Sequence, residues 1–253
     1  MRTKKLAIIS IAIAFAIVVI CSVITTFTVR HVDAVFSVSE KNAEKMEAIN
    51  DILNGYVGKN LLFCDIGNLE KEIEKDPYVE VTSIVKKFPD VIELQIRDRK
   101  EIYVLQYENK YYVLSEEGVV LKQSDTFIGG REYIQFNLDG LEILSLNVGD
   151  YIHTDDDLML AVAFDIAEVA RYTDCVKELT LKKGVDVQDV IFSTYTAVEI
   201  EVRNILDEGK KKAEKAFTAY DNETRDYIKS NNKIIVTKED DGDIVVVWSY
   251  HGN

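Results

Sequence analysis

The sequence is poor in the residues that mark several specialised classes of protein. Three cysteines in 253 residues are too few for a disulfide scaffold. No Gly/Ser-rich linker or low-complexity stretch interrupts the chain, which has only two prolines and one tryptophan. Basic residues are outnumbered, 30 Lys and Arg against 44 Asp and Glu, and this acidity argues against nucleic acid as a partner. The remaining composition, 47% hydrophobic and 29% charged, predicts a folded protein.

The longest uncharged stretch, residues 6–29, begins at Leu6 and ends at Val29. As a helix it would be roughly 36 Å long, enough to cross about 30 Å of hydrocarbon. A cleaved signal peptide is the competing interpretation, but its apolar region would cover about 7 to 15 residues and end in a small-x-small site. Neither condition is met, so residues 6–29 are predicted to be a transmembrane helix.

The distribution of charge around this helix predicts its orientation. Arg2, Lys4 and Lys5 precede it, and no acid occurs in the first 30 residues. Three basic residues also follow within about 20 positions, so their density on the N-terminal side and the long acidic body decide the orientation. We therefore expect a single-pass protein of the cell membrane, with residues 1–5 as a cytoplasmic stub and the body outside the cytoplasm.

Residues 31–122 show a β-α-α-β-β pattern. A short apolar strand precedes a helix that ends at Gly55, and a second helix ends before Pro77. Alternating apolar residues then predict a hairpin over 79–96, and 103–114 predicts another.

Several short motifs occur in order along this segment. They are Gly58-Lys59-Asn60-Leu61, Asp65, Pro77-Tyr78-Val79, Lys87-Phe88-Pro89, Asp98-Arg99 and Glu117-Gly118. Together they resemble the POTRA domain of the FtsQ/DivIB family of bacterial cell-division proteins. Two departures are mild: Asp98 stands where the family usually has Glu, and Lys100-Glu101 lacks the common proline. An unrelated α+β domain with the same pattern is the alternative.

Residues 123–253 predict a second, mixed and β-rich domain, and the whole chain is assigned to the α+β class. The resemblance is fainter here and rests on 136–140 and 148–151. A helix is predicted after Thr154 and another near 208–220, with strands at 176–181, 190–194, 198–202, 233–237 and 244–250.

One cluster has residues suited to metal binding or acid-base catalysis. His153 and Asp155 to Asp157 are close in sequence, but acids are favoured at a helix start, so a capping role is the preferred interpretation. An extracytoplasmic membrane-anchored enzyme or sensor with a site near His153 is the alternative function. Cys64 and Cys175 are open to two interpretations, a disulfide or two free thiols. No catalytic, metal or cofactor motif is predicted.

The resemblance implies a non-enzymatic scaffold at the division septum. Its implied partners are bitopic coiled-coil proteins of the FtsL and FtsB/DivIC type, upstream of septal cell-wall synthesis. The resemblance also places partner binding at the end of the second domain. There we expect an exposed edge strand formed by Ile244, Val245, Val246, Val247, Trp248 and Tyr250. The alternative is that these residues complete the core.

Overall fold

The computed structural model describes residues 2–37, 43–171, 173, 175–223, 232–239 and 242–250. Contacts divide the chain into two compact units, Met1–Arg99 and Lys100–Asn253. The predicted α+β class is confirmed.

The first unit contains α1 (Arg2–Thr26), β1 (His31–Ser37), α2 (Ala43–Asn54), α3 (Ile66–Ile73), β2 (Val79–Lys87) and β3 (Val91–Asp98). The second contains β4 (Tyr103–Tyr107), β5 (Lys110–Leu114), β6 (Val120–Ser124), β7 (Ile134–Asp139), β8 (Ile143–Ser145), β9 (His153–Thr154), α4 (Asp157–Arg171), β10 (Val176–Lys183), β11 (Gln188–Thr194), β12 (Glu199–Val202), α5 (Gly209–Asn222), β13 (Asn232–Lys238) and β14 (Ile244–Tyr250).

Helix α1 is apolar on all sides. Within the described residues it is the one helix long and apolar enough to cross a membrane, with a mean hydropathy of 2.6 over Ile9–Thr26 and none of that stretch buried. It ends three residues earlier than the span predicted from the sequence. Val29 is only 1% exposed and belongs to the core of the first unit. Apolar composition alone did not separate the end of the helix from the start of this core, but the helical part still measures roughly 30 Å.

The first unit is a three-stranded sheet packed against two helices. Its strand order is β1-β3-β2, with β1 parallel and β2 antiparallel to the central β3. One core is formed by apolar residues of α2, α3 and this sheet, among them Leu53, Leu69, Ile92 and Leu94. Residues that alternate along β3 face this core, as the sequence pattern predicts.

In the second unit the described strands form a sheet of nine and a separate pair, β8 and β9. The order of the larger sheet is β14-β13-β12-β11-β10-β7-β4-β5-β6. Helices α4 and α5 supply a second layer, and a single core cluster joins them to the sheet. The strands β14 and β6 are its two edges.

The structure moves the division between the units to an earlier position than the sequence predicts. Strands β4 and β5 and the start of β6 lie within the predicted first domain, 31–122, but they pair in the sheet of the second unit. Tyr103 of β4 is aligned in parallel with Ile134 of β7. A hairpin pattern specifies only its own two strands, so the sequence did not indicate which sheet the hairpin would join.

Candidate functional site

The Gly-x-Asn motif lies in the loop between α2 and α3, against the chain that leaves α1. Gly58 has a φ of 86°, and its N–H donates to the carbonyl of Val29 at 2.9 Å. This positive φ is why glycine suits the position. In return, the Val29 N–H donates to the Lys59 carbonyl at 2.8 Å.

Asn60 extends the same contact toward the helix. Its side-chain amide donates to the carbonyl of Ile24 at 3.4 Å, and its side-chain oxygen accepts from the N–H of Leu62 at 3.0 Å. The neighbouring Leu61 N–H donates to the carbonyl of Phe27 at 2.6 Å. The motif therefore joins the end of α1 directly to the first unit.

Arg99 of the predicted acid-Arg pair is buried at the other end of this unit. Its guanidinium donates to the carbonyls of Val79 at 2.5 Å and Pro77 at 3.3 Å, and contacts the carboxylate of Glu74 at 3.3 Å. Its backbone N–H donates to the Tyr78 carbonyl at 2.9 Å. The Arg99 side chain thus holds in place the segment that leads from α3 into β2. The Arg of the acid-Arg motif therefore binds directly to the Pro-x-Val motif.

The other motif residues lie at a strand end or in turns. Asp98 ends β3 opposite Val79, and Pro89 lies in the turn between β2 and β3. Gly118 differs from the prediction because it belongs to the second unit. Its φ is 87°, and a Cβ there would lie 2.4 Å from the ring of Phe164 in α4. Gly118 therefore serves the packing of α4 and not the POTRA-like domain.

The His153 cluster starts α4. Asp157 accepts from the Thr154 N–H at 2.7 Å and lies 3.0 Å from Nδ1 of His153. Asp156 accepts from the Met159 N–H at 3.1 Å, while the Thr154 hydroxyl accepts from the Asp156 N–H at 3.2 Å. The helix start is thus stabilised by several side chains: Asp157 binds back to the Thr154 N–H, and Asp156 accepts from the first turn.

Asp155 has a different role from its neighbours. It accepts from the Glu142 N–H at 3.0 Å and binds Lys183 at 2.8 Å. The Lys183 contact, followed by the Glu142 hydrogen bond, holds the pKa of Asp155 below its ordinary value. The Thr154 N–H, followed by His153, does the same for the pKa of Asp157. Asp155 therefore stabilises the contact between two loops, and Asp157 stabilises the start of α4.

Strand β14 carries the predicted partner-binding residues at the edge of the nine-stranded sheet. It pairs with β13 in antiparallel register from Lys238↔Ile244 to Asn232↔Tyr250. On its other side no strand from the described ranges is hydrogen-bonded to it. The side chain of Tyr250 lies outside the described part of the chain.

The side chains of β14 divide between the two faces of the sheet. Ile244, Val246 and Trp248 pack against the core with α5. Val245 and Val247 point to the opposite face, where Val247 is 48% exposed. Trp248, which the sequence suggested as a contact residue, therefore contributes to the core, and Val247 is the more accessible side chain.

An ionic cluster lies next to this edge and was not predicted from the sequence. Glu201 is buried on β12 and pairs with Lys233 of β13 and, at 2.5 Å, with Arg203. Burial would raise the pKa of Glu201, but these two cations lower it overall. Arg203 is close to Glu201 in sequence, but Lys233 lies on another strand, and only the pairing of β12 with β13 could reveal that contact.

Comparisons with known proteins find one matching family model and several similar cell-division proteins. Residues 34–99 match the family model described as "POTRA domain, FtsQ-type". The cell division protein DivIB of Clostridium botulinum is 23% identical over 206 residues, covering 81% of this chain and 71% of the relative. DivIB of Clostridium tetani is also 23% identical, with 83% and 76% covered. The solved major extracytoplasmic domain of DivIB from Geobacillus stearothermophilus is 15% identical, with a TM-score of 0.31, covering 49% of this chain and 88% of that chain.

The fold and the matched domain define an α+β protein that carries an FtsQ-type POTRA domain behind an N-terminal apolar helix. A β-rich unit follows it. Through residues 34–99 and its similarity to DivIB proteins, the chain resembles the FtsQ/DivIB family of bacterial cell-division proteins.

Proposed function

We propose that the protein is a non-enzymatic scaffold of the bacterial division machinery. Helix α1 spans the cell membrane with residues 1–5 in the cytoplasm, and both units lie outside it. The body binds bitopic division proteins of the FtsL and FtsB/DivIC type at the septum and helps connect them to septal cell-wall synthesis. Support comes from the apolar helix, the FtsQ-type POTRA domain and relatives named as cell division proteins.

The observation that carries the binding proposal is the edge position of β14. An edge strand offers backbone N–H and C=O groups to an added strand, and alternate side chains then provide specificity. The side chains of Val245 and Val247 lie on the face of the sheet that points away from the core. On this face they would be next to side chains of the added strand. The partner chain would thus extend the sheet beyond β14.

Replacing Val247 by serine tests this surface. Because Val247 is half exposed, we expect the free energy of unfolding to change by about 0.5 kcal/mol or less. Capture of FtsL-type and FtsB/DivIC-type proteins by the tagged chain in its host should fall. Val185→Ser is the matched control, since Val185 is fully exposed in the same unit and remote in sequence from β14.

Trp248→Ala provides the complementary measurement. Loss of the Trp248 ring should lower the free energy of unfolding by about 2 kcal/mol, because a partly buried ring leaves the core.

Normal partner capture by a stably folded Val247→Ser chain contradicts docking at β14. An equal loss of partner capture in Val185→Ser also contradicts it.

The orientation of the chain is tested separately. A cysteine at the exposed position 185 should react with a membrane-impermeant reagent in intact cells, or in spheroplasts where an outer membrane intervenes. A V185C chain protected in both and labelled after lysis would place the body in the cytoplasm.

A further inference from the structure

Three large apolar side chains are exposed at one end of the first unit. Phe63 is 83% exposed, Leu62 is 40% exposed and Phe88 is 59% exposed. Phe63 and Leu62 belong to the loop between α2 and α3, and Phe88 to the turn between β2 and β3. Grouped exposed apolar residues usually mark a surface that is covered in the working protein.

These residues lie beside the end of α1. The rings of Phe88 and Phe27 meet edge to face with centroids 5.9 Å apart, and Phe27 directly follows the helix. The loop on the other side is bound through the Leu61 N–H to the Phe27 carbonyl at 2.6 Å. When α1 spans a bilayer, the polar layer outside the hydrocarbon is about 5 to 8 Å thick on each side. Residues in contact with Phe27 therefore lie at the depth of this layer.

Basic residues accompany the exposed apolar ones. Lys59 lies in the same loop as Phe63, and Lys86 lies near the end of β2, two residues before Phe88. Burial raises the pKa of the Cys64 thiol, and the two ammonium groups oppose the rise. Neither lysine forms an ion pair within the described residues.

The loop also forms one side of a shallow groove. Its volume is about 430 Å³, and Tyr56, Lys59 and Phe63 contribute to its wall. The Lys59 ammonium lies 3.5 Å from the centre of the Tyr56 ring. Aromatic and aliphatic side chains together with lysines are typical of protein surfaces that lie in the interfacial layer of a membrane.

We propose that Leu62, Phe63 and Phe88, with Lys59 and Lys86, form an interfacial surface that inserts into the headgroup layer of the membrane and binds anionic phospholipid. The hydrogen bonds of Asn60 to Ile24 and of Leu61 to Phe27 hold this surface at the end of α1. The first unit is thereby held in one orientation on the bilayer. This inference rests on the proposed spanning of the membrane by α1.

The test uses the full chain in vesicles that contain one quarter phosphatidylglycerol and brominated phosphatidylcholine. A single tryptophan replaces Phe63 (F63W) in a chain that also carries W248F. The matched control is V35W in the same background, because Val35 is 63% exposed and lies in β1, well beyond the end of α1 at Thr26. Quenching is measured against vesicles without bromine.

We expect bromine to quench the F63W reporter about twofold or more and to leave the V35W reporter unchanged. Adding K59E and K86E should reduce the quenching of the F63W reporter to its value in neutral phosphatidylcholine vesicles. Equal quenching of the two reporters, or none of the F63W reporter, overturns the proposal, and so does quenching that the lysine changes do not affect. Alkaline extraction distinguishes failure of the interfacial surface from failure of the membrane span. A chain retained in the vesicles with an unquenched F63W reporter rejects this surface alone, whereas a chain released from them rejects the membrane span itself.

Discussion

Replacing Gly118 by alanine should destabilise the second unit through two separable effects. The φ of 87° lies in the left-handed region, where a Cβ costs about 1 to 2 kcal/mol. The new Cβ would also lie 2.4 Å from Cε2 of Phe164, and such overpacking costs about 1 to 3 kcal/mol. The Phe164 ring is confined between Tyr103 and Phe136, with centroids 5.4 and 5.2 Å away, so it has little freedom to move aside. The total loss should be about 2 to 5 kcal/mol.

Urea unfolding followed by the fluorescence of Trp248 measures this loss, since Trp248 is the only tryptophan and lies in the second unit. Gly242→Ala is the matched control because Gly242 has a similar φ of 94° in the same unit, but a Cβ there meets open space. Gly242→Ala should lose only the free energy of unfolding that a Cβ costs at a positive φ. The difference between the two variants isolates the overlap with Phe164.

A second variant checks the cause of the overlap. In Gly118→Ala combined with Phe164→Leu, the shorter side chain should relieve the clash, so the double change should cost about 1 to 3 kcal/mol less than the sum of the single changes. Equal losses in Gly118→Ala and Gly242→Ala would refute the packing argument. An unchanged Trp248 transition would refute the assignment of Gly118 to the second unit.

Three further changes test the first unit and the response to acid. Arg99→Met should lower the stability of the first unit by about 3 kcal/mol, because the Val79 carbonyl and its neighbours lose a buried charged donor, and hydrogen exchange of β2 reports it. Leu94→Pro should unfold the same unit, since Leu94 is buried in the central strand β3, and loss of exchange protection over β1 to β3 checks this. Glu208→Gln should weaken the acid sensitivity of the melting temperature. Lys211 and a second lysine lower the pKa of Glu208 from 4.5 to about 2, so its stabilisation is complete above pH 4.5 and is lost as the pH falls toward 2.

Residue alternation decides how much of a strand's packing can be inferred from the sequence. In β3 the apolar and polar residues alternate strictly, and its buried face is therefore evident from the sequence. In β14 both faces are apolar, so the sequence indicates a strand without indicating which side faces the core. The packing of Ile244, Val246 and Trp248 on α5 settles this, and leaves Val247 exposed.

The sequence by itself determined the local features of this protein. The apolar helix, the helix and strand periods, the reversals at Gly58 and Pro89 and the order of the POTRA motifs all depend on residues close together in the chain. Tertiary structure alone decided that β4 joins β7, that Gly118 faces Phe164, and that Val29 belongs to the core and not to the membrane span. Each of these depends on contacts between distant segments, and the free energy of such contacts is set by packing and strand pairing that no short sequence window contains.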